Sequence, residues 1–470
     1  MDDYRSALQQ LEDWMVDYWE KSERYPVLSK VKFGEIMEAL PKEPPRTAEP
    51  FEQILADFQK IILPGVTHWN HPNFYAYFAI TGSPPGVLGD MLSTALNVNA
   101  MLWKTCPAAT ELEVVVLDWL RRMLGIPVPL FGIIMDTASI GTFSAMAAAR
   151  ESLDLGIREE GLAGRPDLPK LRVYCSEHTH NSVDKAAIAL GLGLRGLRKI
   201  PGDQDFRMRP EALDQAMQED IHEGWRPVCV VATVGTTSTT SVDPVPEILD
   251  VCKRHNVWLH VDAAYAGPAA ILPEKQWILK GCEEADSLLL NPHKWMFVPF
   301  DCTAFYTKRP EILRRTFSVV PEFLKTAEEG TYDFMNYGLQ LGRRFRALKL
   351  WMVIRMYGVE GLQEVLRKHI SLAEEFAGWV RDSQDFEMMA PVPFSTVCFR
   401  AKPPHFPEEK LNDLNENLMH AVNQTGEMYI SHTKLHNKIT LRLAIGNMRT
   451  ERDHIGHAWE LLQSKLRDLS

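Results

Sequence analysis

The chain lacks the features that would tie it to a membrane or to a nucleic acid. No run of about 18 apolar residues, the minimum for a membrane-spanning helix, occurs in it. Its 51 Lys and Arg are outnumbered by 62 Asp and Glu, which gives a formal net charge of −11. A negatively charged surface repels phosphate backbones and anionic lipids. We therefore expect neither a nucleic acid nor a membrane as a partner.

Cysteine is scarce and scattered. The seven cysteines form no CxxC pair, and an odd, dispersed set predicts neither a disulfide framework nor a structural zinc site. His178 and His180 lie close together but have no further ligands at zinc-site spacing, so no metal site is expected. The opening sequence, MDDYRSALQQ, lacks the basic and apolar pattern of a secretory signal. These features together predict a reduced, cytoplasmic protein.

The first apolar pattern has helical spacing. It consists of Tyr4, Leu8, Leu11, Met15 and Tyr18. Such spacing predicts an amphipathic helix whose apolar side must be covered. Either this helix packs on its own domain or it interlocks with a second subunit, and the pattern alone favours neither.

From about residue 110, short apolar runs alternate with helix-like segments. The runs are FGIIM (131–135), LRVYCS (171–176), VCVVAT (228–233), NVWLHVD (256–262) and ADSLLL (285–290). This alternation predicts an α/β fold with a mostly parallel sheet covered by helices on both faces. A long helical stretch after residue 349, followed by apolar runs at 395–400 and 438–446, predicts a smaller C-terminal α/β domain. Ligands of parallel sheets bind beyond the carboxyl ends of the strands.

Two charged residues follow apolar runs at that edge. Lys294, in NPHKW, comes directly after one run, and Asp262, in HVDAAYAG, ends another. A desolvated lysine has a lowered pKa and becomes a nucleophile suited to Schiff-base chemistry. A buried carboxylate needs a cationic partner, which the protonated nitrogen of a pyridine ring can provide. The alternatives are a surface lysine and a helix-capping aspartate.

Three further segments at strand ends carry polar groups. Thr137, Ala138 and Ser139 begin a strong helix-forming stretch, where free N–H groups and hydroxyls suit a phosphate. Thr237, in GTT, could add a hydroxyl, and His180 could stack on an aromatic cofactor and exchange protons. Simple helix caps and a surface histidine are the alternatives. No GxGxxG or Walker sequence is present, so a nucleotide is not expected.

Taken together, these motifs resemble a known family. NPHKW, HVDAAYAG, the DTAS turn, THNSVDKA and LGRRFRALKLW are similar to the group II pyridoxal-phosphate amino-acid decarboxylases, and nearest to the aromatic L-amino-acid decarboxylases and aromatic aldehyde synthases. The resemblance extends over nearly the whole chain. It implies a fold-type I enzyme with a mostly parallel seven-stranded sheet. It also implies a homodimer whose subunits exchange an N-terminal helical segment (1–83), beside a cofactor domain (84–348) and a small C-terminal domain (349–470).

The resemblance also implies individual roles. Lys294 holds pyridoxal phosphate as a Schiff base, Asp262 pairs with the pyridine nitrogen, and His180 stacks on the ring. Ala264 lies against the opposite ring face. The residues implied around the phosphate are Thr137, Ala138, Ser139, Thr237, Asn291 and His293, and those implied around an aromatic amino-acid substrate are Trp69, Tyr77, Phe78 and Met101.

Some positions depart from the family pattern. Ile80 stands where a threonine usually contacts a ring hydroxyl, and Met101 stands where an aromatic residue is usual. Gly342 matches a position where a small residue leaves room for larger rings. These positions predict a phenyl or indole ring rather than a catechol.

One departure concerns the product. Phe323 stands where the decarboxylases of the family carry a tyrosine that is thought to protonate Cα after carbon dioxide leaves. Phenylalanine has no proton to give, so oxygen is expected to attack and an aromatic acetaldehyde to form. The alternatives are an amine product with His180, water or Tyr332 as proton donor, a transaminase-like or desulfurase-like enzyme, and a catalytically silent homologue.

Overall fold

The computed structural model describes residues 2–78, 80–319 and 330–469. Phe323 lies outside these residues. The helices are α1 (Asp2–Glu20), α2 (Glu35–Ala39), α3 (Phe51–Asp57), α4 (Pro84–Leu96), α5 (Pro107–Met123), α6 (Ala138–Glu151), α7 (Ile157–Glu160), α8 (Ser182–Ala189), α9 (Pro210–His222), α10 (Val245–His255), α11 (Pro292–Trp295), α12 (Pro310–Phe317), α13 (Ala347–Asp382, interrupted at Gly358), α14 (Leu411–Thr425) and α15 (Arg452–Leu469).

A seven-stranded sheet organises the larger part of the chain. Its strands are β1 (Phe131–Met135), β2 (Lys170–Ser176), β3 (Leu197–Ile200), β4 (Trp225–Thr233), β5 (Trp258–Asp262), β6 (Ser287–Leu290) and β7 (Thr303–Thr307). Their spatial order is β1-β7-β6-β5-β4-β2-β3, and only β7 runs against its neighbours. The predicted seven-stranded, mostly parallel fold is confirmed. Six strands therefore end at one edge of the sheet, and β7 begins there.

The central strands are apolar because helices cover both faces of the sheet. Strands β5, β6 and β7 are buried along their whole length. Helix α6 packs on this sheet through small residues, and a Cβ at Gly141 would lie 2.8 Å from Cδ2 of Leu289. Small residues thus let the N-terminus of α6 lie close to the strand ends.

Two compact units are distinguished by their internal contacts. One contains Ile80–Ile370 and Ala390–Phe394, including the seven-stranded sheet, and the other contains Met1–Ala79, Ser371–Met389 and Ser395–Ser470. The second unit has an antiparallel sheet in the order β10-β11-β9-β8, formed by β8 (Phe386–Met388), β9 (Thr396–Ala401), β10 (Ser431–Leu435) and β11 (Lys438–Ala444). The three-part division at residues 83 and 348 stays a prediction.

Helix α1 forms where the apolar spacing predicts it. The ring of Trp14 stacks on Tyr18 at 5.3 Å and meets the edge of Phe58 at 5.2 Å, so one side of the helix packs within its own unit. Tyr4 and Leu8 remain 60% and 40% exposed. The packed side of the helix fits an interaction within its own unit, and the exposed side could contact a second subunit, so both interpretations stay open.

No helix in the described ranges combines the length and apolar character needed to cross a bilayer. Within the same ranges, no group of three or more His, Cys, Asp or Glu side chains could hold a metal ion.

Candidate active site

The predicted cofactor residues lie at the edge of the sheet where the parallel strands end. Strand by strand, the edge carries Thr137 after β1, His180 after β2, Thr237 after β4, Asp262 and Ala264 at β5, and Asn291, His293 and Lys294 after β6. These strands belong to one sheet and end at the same edge, so the residues that follow them lie along that edge.

Asp262 is the last residue of β5 and is 4% exposed. Its Oδ1 accepts the backbone N–H of Ala264 at 3.0 Å. In the sheet it is flanked by Thr233 of β4 and Leu289 of β6. A buried carboxylate is costly without a cation close by.

Lys294 lies in the short helix α11, immediately beyond β6. The next residue fixes this helix: the Trp295 ring stacks on Tyr265 at 5.1 Å, and its Nε1 donates to Nδ1 of His369 at 3.0 Å. Burial lowers the pKa of Lys294, while the charge of Asp262 raises it. The net lowering leaves a larger fraction of the side chain as a nucleophilic amine.

His180 shares the electrostatic environment of these two groups. Burial lowers its pKa, the charge of Asp262 raises it and the charge of Lys294 lowers it. The N–H of Ser182 donates to Nδ1 of His180 at 3.2 Å, which assigns the proton of the neutral ring to Nε2. The ring therefore has one N–H with which to act on a ligand.

The N-terminus of α6 offers an anion site. The N–H groups of Ile140 and Gly141 both donate to the carbonyl of Thr137 at 3.1 Å. Ala138 and Ser139 are the first two residues of α6, so their N–H groups have no acceptor within the helix. Together with the positive end of the helix dipole and two hydroxyls, these groups suit a phosphate.

The start of β7 contacts both the segment before α6 and the segment that contains Lys294. The hydroxyl of Thr303, its first residue, donates to Oδ1 of Asn291 at 2.8 Å and also lies 3.2 Å from the carbonyl of Asp136. The N–H of Cys302 donates to Nδ1 of His293 at 2.9 Å. Burial lowers the pKa of His293 to about 3, so this ring is neutral at pH 7.

The turn after β4 requires glycine. Gly235 has φ +91°, and a Cβ there would lie 2.6 Å from Cβ of Ala266. Oγ1 of Thr236 is buried and accepts the N–H of Ser241 at 3.0 Å. The neighbouring Thr237 is exposed, and its hydroxyl has no partner among the described residues. Thr237 is thus available to a phosphate.

The predicted substrate residues divide between the two units. Ile80 and Met101 are half-buried and Gly342 is exposed, all in the unit with the seven-stranded sheet. Trp69, Tyr77 and Phe78 belong to the other unit.

Within that second unit the aromatic residues form a group of their own. Trp69 stacks on Tyr77 with 5.9 Å between ring centroids, and the guanidinium of Arg442 lies 5.1 Å from the ring of Phe78. Tyr77 adopts a left-handed backbone conformation, φ 54°, and its hydroxyl lies 2.9 Å from that of Tyr429. Contact of all six predicted residues with a substrate stays a prediction.

Sequence analysis missed two buried titratable residues beside the site. His260 contacts Oγ of Ser287 through Nδ1 at 2.9 Å, and burial lowers its pKa to about 4. The sequence could have revealed His260, because residues two apart in a strand lie on the same face of the sheet and His260 is two residues before Asp262. Burial raises the pKa of Asp243 to about 7, and this side chain accepts the N–H of Thr233 at 2.8 Å. No apolar run marks Asp243 in the sequence.

The arrangement fits pyridoxal phosphate. Lys294 presents an amine for the cofactor's aldehyde carbon, Asp262 a carboxylate for the pyridine nitrogen, and the N-terminus of α6 a site for the phosphate. Ala264 is small enough for a flat ring to lie against it.

Comparisons with known proteins agree with this fit. The family model "Pyridoxal-dependent decarboxylase conserved domain" matches residues 34–402. The chain is 42% identical to tryptophan decarboxylase 2 of Oryza sativa over 96% of its own length and 92% of that protein. It is 40% identical to phenylacetaldehyde synthase of Arabidopsis thaliana, covering 96% and 94% of the two chains. The crystal structure of Oryza sativa TDC with PLP and tryptamine superposes with a TM-score of 0.95 at 38% identity, over 100% of this chain and 98% of the other.

Covalent attachment of the cofactor tests the role of Lys294. Borohydride reduction of the purified protein should fix pyridoxal phosphate to the peptide that contains Lys294, as read by mass spectrometry. Lys294→Ala should abolish both the labelled peptide and the visible absorbance. The matched control is Lys253→Ala, since Lys253 is exposed and paired with Glu284 at 2.5 Å. Label on any other lysine of the wild type would contradict the assignment.

Proposed function

Because the chain belongs to the pyridoxal-dependent decarboxylase family, we propose that it removes the carboxyl group of aromatic L-amino acids. The observation that carries this proposal is the convergence of Lys294, Asp262 and His180 at one sheet edge. The named relatives act on aromatic compounds by their titles, which supports an aromatic substrate for this chain as well.

Pyridoxal phosphate, when bound, supplies an electron sink for the bond between Cα and the carboxyl group. Asp262 keeps that sink effective, since a buried carboxylate stabilises a proton on the ring nitrogen. Lys294 would hold the cofactor through its side-chain amine when no substrate is bound. The N-terminus of α6 and Thr237 would hold the phosphate.

His180 has a separate part in this scheme. Its Nδ1 is held by the N–H of Ser182, so the ring is oriented before a ligand binds. Stacked on the cofactor ring, it would cover one face and exclude water there. Burial lowers its pKa and so favours the neutral ring, whose Nε2–H can donate a hydrogen bond without placing a positive charge beside Lys294.

The ring of the substrate is expected to be phenyl or indole. Ile80 and Met101 offer no hydroxyl or amide to a ring hydroxyl, and Gly342 leaves space. An apolar pocket rejects an added hydroxyl only moderately, by roughly 10²-fold at most. Tyrosine and DOPA are therefore poorer substrates rather than excluded ones.

A substrate panel tests the proposed function. Carbon dioxide release should be measured with phenylalanine, tyrosine, DOPA and tryptophan at equal concentrations. We expect kcat/KM for phenylalanine or tryptophan to exceed that for DOPA by about tenfold or more, within the limit that an apolar pocket sets. A clear preference for DOPA would contradict the role given to Ile80. Absence of carbon dioxide with every member of the panel would contradict decarboxylation itself.

For the product we propose an aromatic acetaldehyde. Phe323 has no hydroxyl with which to protonate Cα, so the electrons left there after carbon dioxide departs are open to dioxygen. The balanced reaction takes up one dioxygen and one water and gives aldehyde, carbon dioxide, ammonia and hydrogen peroxide. The relative named phenylacetaldehyde synthase supports this product, and the relative named tryptophan decarboxylase supports the alternative, an amine.

The variant Phe323→Tyr separates the two products. It restores a phenolic proton, so amine should replace most of the aldehyde and peroxide that the wild type forms under air. Tyr332→Phe is the control, because Tyr332 packs on Phe131 with 5.6 Å between ring centroids and stacks on Phe334 at 6.0 Å. This control should leave the ratio of aldehyde to amine unchanged. Wild-type protein that makes only amine and no peroxide would refute the aldehyde while leaving decarboxylation intact.

We also propose a homodimer. Helix α4 exposes an apolar stripe at helical spacing, with Leu88, Leu92 and Leu96 46%, 49% and 59% exposed. Such a stripe is typical of a surface that a partner covers. Sedimentation equilibrium should give twice the chain mass for the wild type, and Leu92→Glu should shift it toward the monomer. A wild-type monomer at all concentrations would contradict the proposal.

A further inference from the structure

Arg343 follows Gly342 and points its guanidinium into the protein. Its Nη2 donates to Oε1 of Glu113 at 2.6 Å and to the carbonyl of Ile134 at 2.8 Å, and its Nη1 donates to the carbonyl of Ala100 at 3.3 Å. The two partners of this ion pair are only 9% and 2% exposed. The guanidinium thus joins residue 343 to three segments far from it in sequence, at residues 100, 113 and 134.

The ion pair is anchored to the first strand. Oε1 of Glu113 also accepts the backbone N–H of Ile134 at 2.7 Å. Both backbone groups of Ile134 are therefore held by the pair, one by each partner. Strand β1 continues directly into Thr137 and the phosphate-binding end of α6.

The backbone of Arg343 fastens the residues that are expected to face the substrate ring. Its N–H donates to Oδ1 of Asn99 at 2.9 Å, and its carbonyl accepts the N–H of Ala100 at 2.8 Å. Nδ2 of Asn99 lies 3.4 Å from Sδ of Met101 and 3.7 Å from the position that a Cβ of Gly342 would take. Residues 99–101 and 342–343 accordingly form one block.

Residues 334 and 335 make further contacts with the same block. The ring of Phe334 lies 4.8 Å from the Arg343 guanidinium, and the N–H of Met335 donates to the carbonyl of Met101 at 3.1 Å. Met101, Leu102 and Met335 also pack together as an apolar cluster. The guanidinium thus contacts residue 100 of this block, β1, α5 and Phe334.

We infer that the ion pair of Arg343 with Glu113 is a positioning device that sets which aromatic ring the enzyme prefers. It holds the segments of Gly342 and Met101 in one arrangement with α5 and β1. Buried ion pairs add little stability over apolar residues of the same volume. The planar guanidinium, bonded to Glu113 and to two backbone carbonyls, instead fixes the relative positions of these groups. A displacement of about 1 Å at a reacting substrate can cost 10²-fold in rate, so this precision matters for selectivity. The inference rests on the proposed function.

Two variants loosen the block in different ways. Glu113→Gln keeps the shape of the side chain and removes its charge, while Asn99→Ala cuts the link from the Arg343 N–H to Met101. Asn99 is exposed, so its variant should fold even if a buried, unpaired guanidinium prevents Glu113→Gln from folding.

The matched control is Asp220→Asn. Asp220 is a carboxylate with only 1% exposure, and it is paired with Arg198 at 2.8 Å beside the edge strand β3. This variant removes a buried charge of the same kind without touching residues 99–101 or 342–343. It therefore reports the effect of lost stability alone.

Two ratios are measured on the holoenzyme. The first compares kcat/KM for tryptophan and phenylalanine, and the second compares the dissociation constants of tryptamine and phenethylamine by calorimetry. In Glu113→Gln and in Asn99→Ala, each of the two ratios should move toward one by about tenfold. This change is smaller than the roughly 10²-fold loss in rate that a 1 Å displacement can cause. Cofactor absorbance should be retained, and Asp220→Asn should leave both ratios at their wild-type values.

The inference is wrong if Asn99→Ala and any folded Glu113→Gln keep the wild-type ratios, or if Asp220→Asn changes them equally. A wild type that releases no carbon dioxide from either amino acid would instead refute the proposed function. In that case the ratio of amine dissociation constants still decides whether the block selects among rings.

Discussion

The negative charge of Asp262, held at 4% exposure at the end of a central strand, is the constraint on which the site depends. A buried carboxylate needs a positive charge close by. The charge of Asp262 raises the pKa values of Lys294, His180 and His260, whereas burial lowers them. The seven-stranded sheet supplies the geometry, because its parallel strands end together. In the proposed function, the cationic pyridine ring of the cofactor would be the partner that balances this charge.

Much of this site follows from sequence because strand ends in a parallel sheet converge. Apolar runs located five strands to within a few residues, and the polar residues just beyond them, among them Lys294 and Asp262, lie at the predicted edge. Strand β3 (LRKI) has two charged residues at its centre, strand β7 (TAFYT) begins and ends with threonine, and neither was among the predicted strands. The Arg343–Glu113 pair could not be predicted, since its partners are 230 positions apart and meet only through tertiary packing. Asp243 is similar: its role depends on the backbone N–H groups that happen to face it.

In the proposed function, different parts of the chain carry different aspects of the reaction. The strand ends would provide attachment, charge balance and phosphate binding. The block of residues 99–101 and 342–343 would bear on the ring of the substrate. Residue 323, outside the described residues, would bear on what happens at Cα after carbon dioxide leaves. Relatives about 40% identical to this chain bear the names of a decarboxylase and of an aldehyde synthase.

The most direct test of the account is the protonation state of the cofactor's ring nitrogen. The holoenzyme can be reconstituted with pyridoxal phosphate labelled with ¹⁵N in the pyridine ring, and the nitrogen shift measured by NMR at neutral pH. The account predicts the shift of a protonated pyridine in the wild type and of a neutral one in Asp262→Asn. A neutral ring nitrogen in the wild type would contradict it, because the buried charge of Asp262 would then have no partner.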